Sequence, residues 1–265
     1  MDFNKIIIAG KTRKYTGLDA TEMAMARKLS GGGAQIVPFA TGTDDQIVAM
    51  IQAAHAGTID LQTDGGWAVG DTRTIAIAAF TAGGVSFGPQ NVDIAISSFD
   101  EYMSCGNVLQ FDFKNALAEG GRMNSSNTTT GGYGESEMKT ATLPALINAM
   151  PDWIKNQLIE FSVLVNVGGW ETTVETVPGN KLALRSETEV FGSSSSSGAS
   201  GQGARLAYYT SATNRKKNRG IDGAIDYWWL RSPRRTSQFV WVTPDGSSYY
   251  SSASDKVGIA PFGCL

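Results

Sequence analysis

The stretch Tyr-Trp-Trp-Leu-Arg-Ser-Pro at residues 227–233 opens the C-terminal segment on which the fold depends. Phe-Val-Trp-Val follows at 239–242, and the chain closes on Gly-Ile-Ala-Pro-Phe-Gly-Cys-Leu at 258–265. These apolar blocks predict core strands, and the Ser-, Tyr-, Arg- and Thr-rich segments between them predict exposed loops. Tyrosine offers a large contact area at low entropic cost and serine offers adaptable hydrogen bonds, a combination typical of binding surfaces. We therefore expect these loops to bind a partner.

The composition is that of a globular protein. The 265 residues include 42% hydrophobic and 18% charged residues, and the formal net charge is −3. This charge lacks the basic footprint that nucleic-acid binding requires. No stretch is long and apolar enough to span a bilayer or to form the core of a signal peptide. We expect a protein that is made in a bacterial cytoplasm, with neither nucleic-acid partners nor membrane insertion.

Residues 1–62 predict a small helical module. One amphipathic helix is predicted at 18–29 and a second at 44–56. Thr43 caps the second helix, and Gln46 three residues later completes a capping box. A module of this size suggests a role in attaching the chain to other proteins or in oligomerisation.

Residues 67–265 predict a single α+β domain, because strands and short helices alternate without the regularity of βαβ units. The predicted elements are strands at 5–9 (in the module), 67–77, 92–96, 161–167 and 181–187, helices at 111–119, 135–149 and 153–159, and exposed polar loops at 124–134 and 193–203.

Few side chains suit catalysis. The single histidine, His55, lies between alanines on a predicted helix, and base catalysis would need partners within hydrogen-bond reach. Cys105 and Cys264 are far apart in sequence and predict two reduced, buried thiols. No cysteine and histidine residues have the spacing of metal ligands. The sequence therefore predicts no catalytic residue, no metal site and no cofactor.

Three charged or aromatic features have structural interpretations. The basic run at 215–219 predicts a solvated loop, with contact to phosphate or an anionic glycan as the alternative. Arg231 lies in an apolar context and requires a carboxylate or carbonyl partner. Trp228 and Trp229 face opposite sides of a strand, so one is expected in the core while the other faces a neighbouring layer or the surface.

The C-terminal motifs resemble the domain-of-unknown-function family DUF6273, which is common in gut bacteria and their phages. The resemblance extends over residues 67–265, and Ala260 stands where the family usually has arginine. The segment after Gly-Tyr-Gly at 132–134 also lacks the family's usual Trp-Leu-Asn. The motifs that carry the resemblance are Tyr-Trp-Trp-Leu-Arg-Ser-Pro at 227–233, Pro-Asp-Gly at 244–246 and Gly-Ile-Ala-Pro at 258–261.

This resemblance implies a C-type-lectin-like fold of the kind also found in formylglycine-generating enzymes. The same fold carries the variable proteins of diversity-generating retroelements, including phage tropism determinants, in which adenine-directed mutagenesis randomises codons near the C-terminus. The products are rich in Ser, Tyr, Arg, Asn, Thr and Asp. The ligand-binding residues expected on this basis are Arg234, Arg235, Thr236, Ser237, Trp241, Ser247, Ser248, Tyr249, Tyr250, Ser251, Ser252 and Ser254.

The function expected from these features is non-enzymatic binding. A phage or prophage tail-associated protein, or one displayed on a cell surface, would present the Ser/Tyr-rich surface to a host-surface protein or glycan. Further copies of the chain and other virion proteins are additional expected partners. One alternative is a structural subunit without a ligand. Another is an enzyme of the formylglycine-generating type, which would need paired cysteines or a histidine-lined metal.

Overall fold

The chain divides into two compact units, Met1–Trp67 and Ala68–Leu265, where the sequence predicted a boundary between 62 and 67. Each unit is described separately below. The computed structural model describes residues 5–8, 11–14, 34–168, 173–198 and 201–265.

The first unit contains a short antiparallel pair, β1 (Lys5–Ile8) and β2 (Lys11–Lys14), and one described helix, α1 (Asp44–His55). α1 begins after Thr43 with the predicted capping box, in which the Thr43 hydroxyl accepts from the Gln46 amide and the Gln46 side chain accepts from the Thr43 amide. The predicted helix at 18–29 lies outside the described residues.

The second unit is built on a five-stranded antiparallel sheet in the order β10-β16-β7-β6-β3. Aromatic and branched side chains from its strands, among them Phe111, Phe113 and Phe262, are fully buried. The strands are β3 (Thr72–Ile77), β6 (Gln90–Ser98), β7 (Gln110–Phe113), β10 (Leu182–Ala183) and β16 (Phe262–Cys264).

A three-stranded antiparallel sheet, in the order β13-β14-β15, carries most of the C-terminal segment. Its strands are β13 (Trp228–Arg234), β14 (Gln238–Val242) and β15 (Ser248–Ser252). Three two-stranded pairs complete the strands of this unit, namely β4 (Phe80–Ala82) with β5 (Val85–Phe87), β8 (Phe161–Asn166) with β9 (Val174–Asn180), and β11 (Lys217–Asn218) with β12 (Ile225–Asp226).

The described helices of this unit are short. Pro144 lies in the first turn of the longest of them, where its missing amide hydrogen costs nothing. They are a π-helix (Met138–Thr142), α2 (Leu143–Ala149), α3 (Asp152–Lys155), α4 (Glu187–Phe191), a 3₁₀ helix (Ala207–Thr210) and α5 (Ala212–Arg215). The predicted α+β class is confirmed.

The helix predicted at 111–119 is wrong. Residues 110–113 form β7, in the centre of the main sheet, and all four side chains are buried. Asp112 is stable in this position because Arg185 neutralises it from a distant part of the chain. The strand predicted at 181–187 is likewise shortened to β10, and α4 begins at Glu187.

Both tryptophans of β13 are fully buried, although only one was expected in the core with certainty. The Trp228 indole donates to the Arg215 carbonyl at 2.8 Å, and the Trp229 indole donates to the Gly121 carbonyl at 2.9 Å. Each face of β13 is therefore covered, which leaves neither ring at the surface.

Candidate functional site

β13 is held in place by a buried ion pair. The Arg231 guanidinium donates to both carboxylate oxygens of Glu189, at 2.6 and 2.9 Å, and to the carbonyls of Leu164 and Leu184. Tyr102 donates to the same carboxylate at 2.6 Å. Arg231 thus has the carboxylate and carbonyl partners that its apolar context required.

A second buried pair lies one strand deeper. Arg185 donates to Asp112 at 2.7 Å, and both side chains are 0% exposed. Tyr209 donates to the other oxygen of Asp112 at 2.6 Å. The two pairs are linked through the backbone, because the Arg231 amide donates to the Arg185 carbonyl at 2.9 Å. Such satisfied buried networks fix the position of the elements that carry them.

A bulge in β13 allows this inward attachment. Trp229 pairs with Trp241 and Pro233 pairs with Phe239, so three residues of β13 face a single residue of β14. Bulges of this kind redirect side chains. Here the redirected residues include Arg231, which points into the core.

The loop predicted at 193–203 contributes to the same frame and is only partly exposed. Ser197 and Gln202 are fully buried. The Glu187 carboxylate accepts from the amides of Ser196 and Ser197 at 2.8 and 2.7 Å. The expectation of an exposed loop is therefore wrong for these buried residues, because Glu187 binds the serine backbone.

Above this frame, four rings form what we call the aromatic surface, namely Tyr227, Trp241, Tyr249 and Tyr250. Tyr227 and Trp241 have ring centroids 4.5 Å apart, and Tyr249 and Tyr250 stack at 4.4 Å. Trp241 and Tyr249 are register partners on adjacent strands, which joins the two pairs. Tyr249 is 53% exposed and Tyr227 is 37% exposed.

Arg234 covers one side of this surface. Its guanidinium carbon lies 3.3 Å from the centroid of the Tyr250 ring, a cation–π contact. The hydrogen bond between the two tyrosines raises the pKa of Tyr249. A flat cation beside stacked rings can contact carboxylates, amides or sugar faces on a partner.

The β13–β14 turn, residues 235–237, lies at one end of the aromatic surface. Arg235 is exposed and has a φ of 52°, a backbone conformation that non-glycine residues rarely adopt. Thr129 holds the turn, because its hydroxyl donates to the Arg235 carbonyl at 2.7 Å and its amide donates to the Thr236 carbonyl at 2.9 Å. The polar loop at 124–134 thus supports the turn from below.

The block at 247–254 was predicted as an exposed loop, and this is wrong for its centre. Residues 248–252 form β15, which pairs with β14 through five register partners and stands at the edge of its sheet. Alternation of small polar and aromatic residues suits a half-exposed edge strand. The block therefore presents its side chains on a regular backbone.

Several serines of the block hold the structure together. The Ser248 hydroxyl lies 2.9 Å from that of Ser196, Ser254 donates to Asn127 at 2.6 Å, and Ser251 donates to Asp255. Ser247 binds the Asp245 carboxylate in the preceding turn. These serines contribute to the shape of the surface as well as to its polarity.

The structure places all twelve predicted ligand-binding residues on one sheet and its turns, and none is buried. They form two groups. One lies around the turn at 235–237 and includes Ser251, Ser252 and Ser254, whereas Ser247 and Ser248 lie at the opposite end of β15, beside the β14–β15 turn. The predicted set missed Tyr227, because the apolar motif around it indicated a core residue.

The basic run at 215–219 is not simply a solvated loop. Lys217 is 1% exposed, its ammonium group donates to the Phe113 carbonyl, and it lies 4.8 Å from the Trp228 ring centroid. Burial lowers the pKa of Lys217 to about 8. Arg219 pairs with Asp226 at 2.7 Å. The expectation is therefore wrong for Lys217, whose side chain belongs to the core.

The two cysteines are close in space. The Cys105 thiolate is stabilised by a hydrogen bond from Cys264, which lowers the pKa of Cys105 to about 7. Cys264 is fully buried, whereas Cys105 is half-buried. The expectation that both thiols are buried is thus wrong for Cys105. Their separation in sequence is also no longer an argument against a functional pair.

The remaining chemistry is sparse in the part of the chain that the structure describes. There, no three His, Cys, Asp or Glu side chains are placed to hold a metal ion. His55 lies in the last turn of α1, where burial lowers its pKa. No helix among these residues has the length and apolar character of a membrane span.

Comparison with known families finds a match over residues 107–265 to a family described as "Domain of unknown function (DUF6273)". Comparison with curated proteins and with solved structures finds no match. The matched region contains β7, both buried ion pairs and the aromatic surface. Because it covers more than half of the chain, the protein belongs to the DUF6273 family.

Proposed function

We propose that this protein is a non-enzymatic receptor-binding protein that presents the aromatic surface and the turn at 235–237 to a molecule on a host bacterium. The observation that carries the proposal is the exposure of Tyr249 and Tyr227. Large rings contribute much of the energy of protein interfaces. Their exposure on a sheet whose other rings are buried favours a surface that a partner covers.

The rigidity of the support favours the same function. Interfaces gain affinity when the contacting groups are held in place before binding. Beneath the aromatic surface, β13 is fixed by Arg231 and Glu189. In addition, the sheltered indole nitrogen of Trp241 has no hydrogen-bond partner among the described residues. A displacement of the overlying Tyr227 ring would allow a ligand to accept from it.

The finer assignments belong to the same proposal. A C-type-lectin-like fold, a phage or prophage tail as the setting, and diversification by a retroelement rest on the resemblance of the C-terminal motifs. Diversification has a direct test at the level of the gene. A nearby template repeat that differs from the codons of residues 234–254 only at adenines would support it, and a genome without such a repeat would contradict it.

The paired cysteines do not favour an enzyme as the first choice. A fully buried thiol is inert because substrates and oxidants cannot reach it. Cys264 is fully buried, and burial raises its pKa far above the ordinary value. We therefore retain binding as the proposed function.

The proposal is tested by flow cytometry of labelled protein on a panel of gut bacteria. The surface variant replaces Thr236, Tyr249 and Tyr250 with alanine, which spares the serines that hold the turns. The control variant replaces Val69, Met103 and Lys181, which are also exposed, with alanine. Binding by the wild type and the control but not by the surface variant is expected. Equal binding by all three would place the function elsewhere, and no binding to any strain would favour a structural subunit.

A further inference from the structure

A separate cavity of about 250 Å³ lies beside the β11–β12 pair. Its walls come from the segment after β7, the 3₁₀ helix, α5 and β11, and they include Lys114, Asn115, Tyr208, Lys216 and Asn218. Ligand pockets usually have volumes of about 300–1,000 Å³. This cavity therefore suits a ligand no larger than a single sugar ring.

Asn115 points to a missing hydrogen-bond donor. The residue is 7% exposed, and its side-chain carbonyl oxygen has no hydrogen-bond partner among the described residues. Buried polar atoms are normally paired, because an unpaired one loses its hydration without compensation. A ligand hydroxyl or amide in the cavity would supply the donor.

Two lysines give the cavity a positive charge. Lys114 and Lys216 are exposed, and within the described chain neither forms an ion pair. The nearby carboxylate of Asp112 is already paired with Arg185 inside the core. An anion between the two ammonium groups would therefore meet no competing negative partner from that residue.

The remaining wall is suited to a polar ring. Tyr208 is 6% exposed and lines the cavity together with the amide side chains of Asn214 and Asn218. Asn214 is fixed in part by its bond to the Tyr208 carbonyl at 2.7 Å. An aromatic ring beside amide groups is a combination that contacts both the C–H face and the hydroxyl groups of a sugar.

We propose that this cavity binds a small carboxylate that carries hydroxyl groups, a sugar acid of the hexuronate type. Lys114 and Lys216 would hold the carboxylate, and a ring hydroxyl would donate to the side-chain oxygen of Asn115. The site is distinct from the aromatic surface, and the inference does not depend on the proposed function.

The experiment is isothermal titration calorimetry of the full chain with D-glucuronate and D-galacturonate, compared with D-glucose and acetate. Saturable binding of at least one sugar acid is expected, with D-glucose and acetate at least about tenfold weaker, because each lacks one of the two recognition elements. Lys114→Gln/Lys216→Gln and Asn115→Leu should each weaken binding by about tenfold or more. Lys181→Gln, an exposed lysine outside the cavity, should bind like the wild type.

Each contrary result has a defined meaning. Absence of saturable binding of both sugar acids to the wild type would overturn the proposal, as would unchanged affinity in the double lysine variant. Acetate binding as tight as that of the sugar acids would overturn the hydroxyl-bearing class. Asn115→Leu replaces a buried unpaired amide with an apolar group of similar size, so its Tm should not fall. If that variant fails to fold, the lysine pair still decides the question.

Discussion

At the scale of single residues, Tyr249 has the exposure expected of an interface anchor. More than half of its ring is exposed, and its main contacts are the neighbouring Tyr250 ring and its register partner Trp241. Serine neighbours indicated this exposure from the sequence, because the residues around it could not form a core. Tyr227 could not be recognised in the same way, since it directly precedes two buried tryptophans.

Replacing Tyr249 with alanine is expected to weaken receptor binding by about 1–3 kcal/mol, the range for an interface anchor. The free energy of unfolding should change by less than about 0.5 kcal/mol, because little of the ring is buried. Thermal unfolding and a binding titration on a recognised strain measure both. Val69→Ala, another exposed apolar residue, is the control. A large loss of stability would show that Tyr249 is a core residue.

The thiol of Cys105 offers a test of the cysteine contact by pH. A thiolate reacts with iodoacetamide and a thiol does not, so the rate should rise with pH around a midpoint of about 7, instead of the ordinary 9.0. Cys264→Ala removes the hydrogen bond that is the main cause of this shift, and the midpoint should move upward. A midpoint near 9.0 in both proteins would contradict the contact. The sequence could not reveal the pair, because the main sheet brings its two residues together.

At the scale of elements, β13 depends on the pair between Arg231 and Glu189. Glu189→Gln leaves the buried guanidinium without its counter-charge, which is expected to cost about 3–5 kcal/mol of the free energy of unfolding. The double variant Arg231→Met/Glu189→Leu should recover part of this loss, because it removes both charges. Urea unfolding at pH 7 measures the three proteins. An unchanged stability of Glu189→Gln would contradict the role of the pair.

The same pair predicts a dependence of stability on pH. Burial alone would raise the pKa of Glu189, but the Arg231 guanidinium holds it below its ordinary value of 4.5. A carboxyl whose pKa is lower in the folded chain stabilises the fold above its unfolded pKa, and this contribution is lost as pH falls. The wild type should therefore lose stability below about pH 4.5 more steeply than Glu189→Gln. Parallel curves would contradict this assignment.

Local signals predicted elements well, and distant partners decided where they failed. The capping box at Thr43 and Gln46 gave the start of α1 because all of its atoms lie within one helical turn. The segment at 111–119 failed because its burial depends on Arg185, which lies 73 residues from Asp112 in sequence. Likewise, β15 resembled a loop in composition, and only its pairing with β14 makes it a strand.

At the scale of the whole molecule, the sequence predicted an α+β unit whose C-terminal segment presents a polar and aromatic surface. The twelve predicted residues do lie on one sheet and its turns, because three consecutive strands of that segment pair with one another. The frame beneath them could not be predicted, since Glu189, Asp112 and Tyr102 come from three separate parts of the chain. The motif at 227–233 nonetheless indicated that Arg231 needs a partner.

The most direct test of the account is hydroxyl-radical footprinting of the protein, free and bound to envelopes of a recognised host strain. Oxidation of Tyr227, Tyr249 and Tyr250 should fall on binding, because the partner covers the aromatic surface. Oxidation of Met103, which is exposed outside this surface, should not change. Unchanged oxidation of the three tyrosines in the bound protein would contradict the central claim that this sheet is the receptor-binding surface.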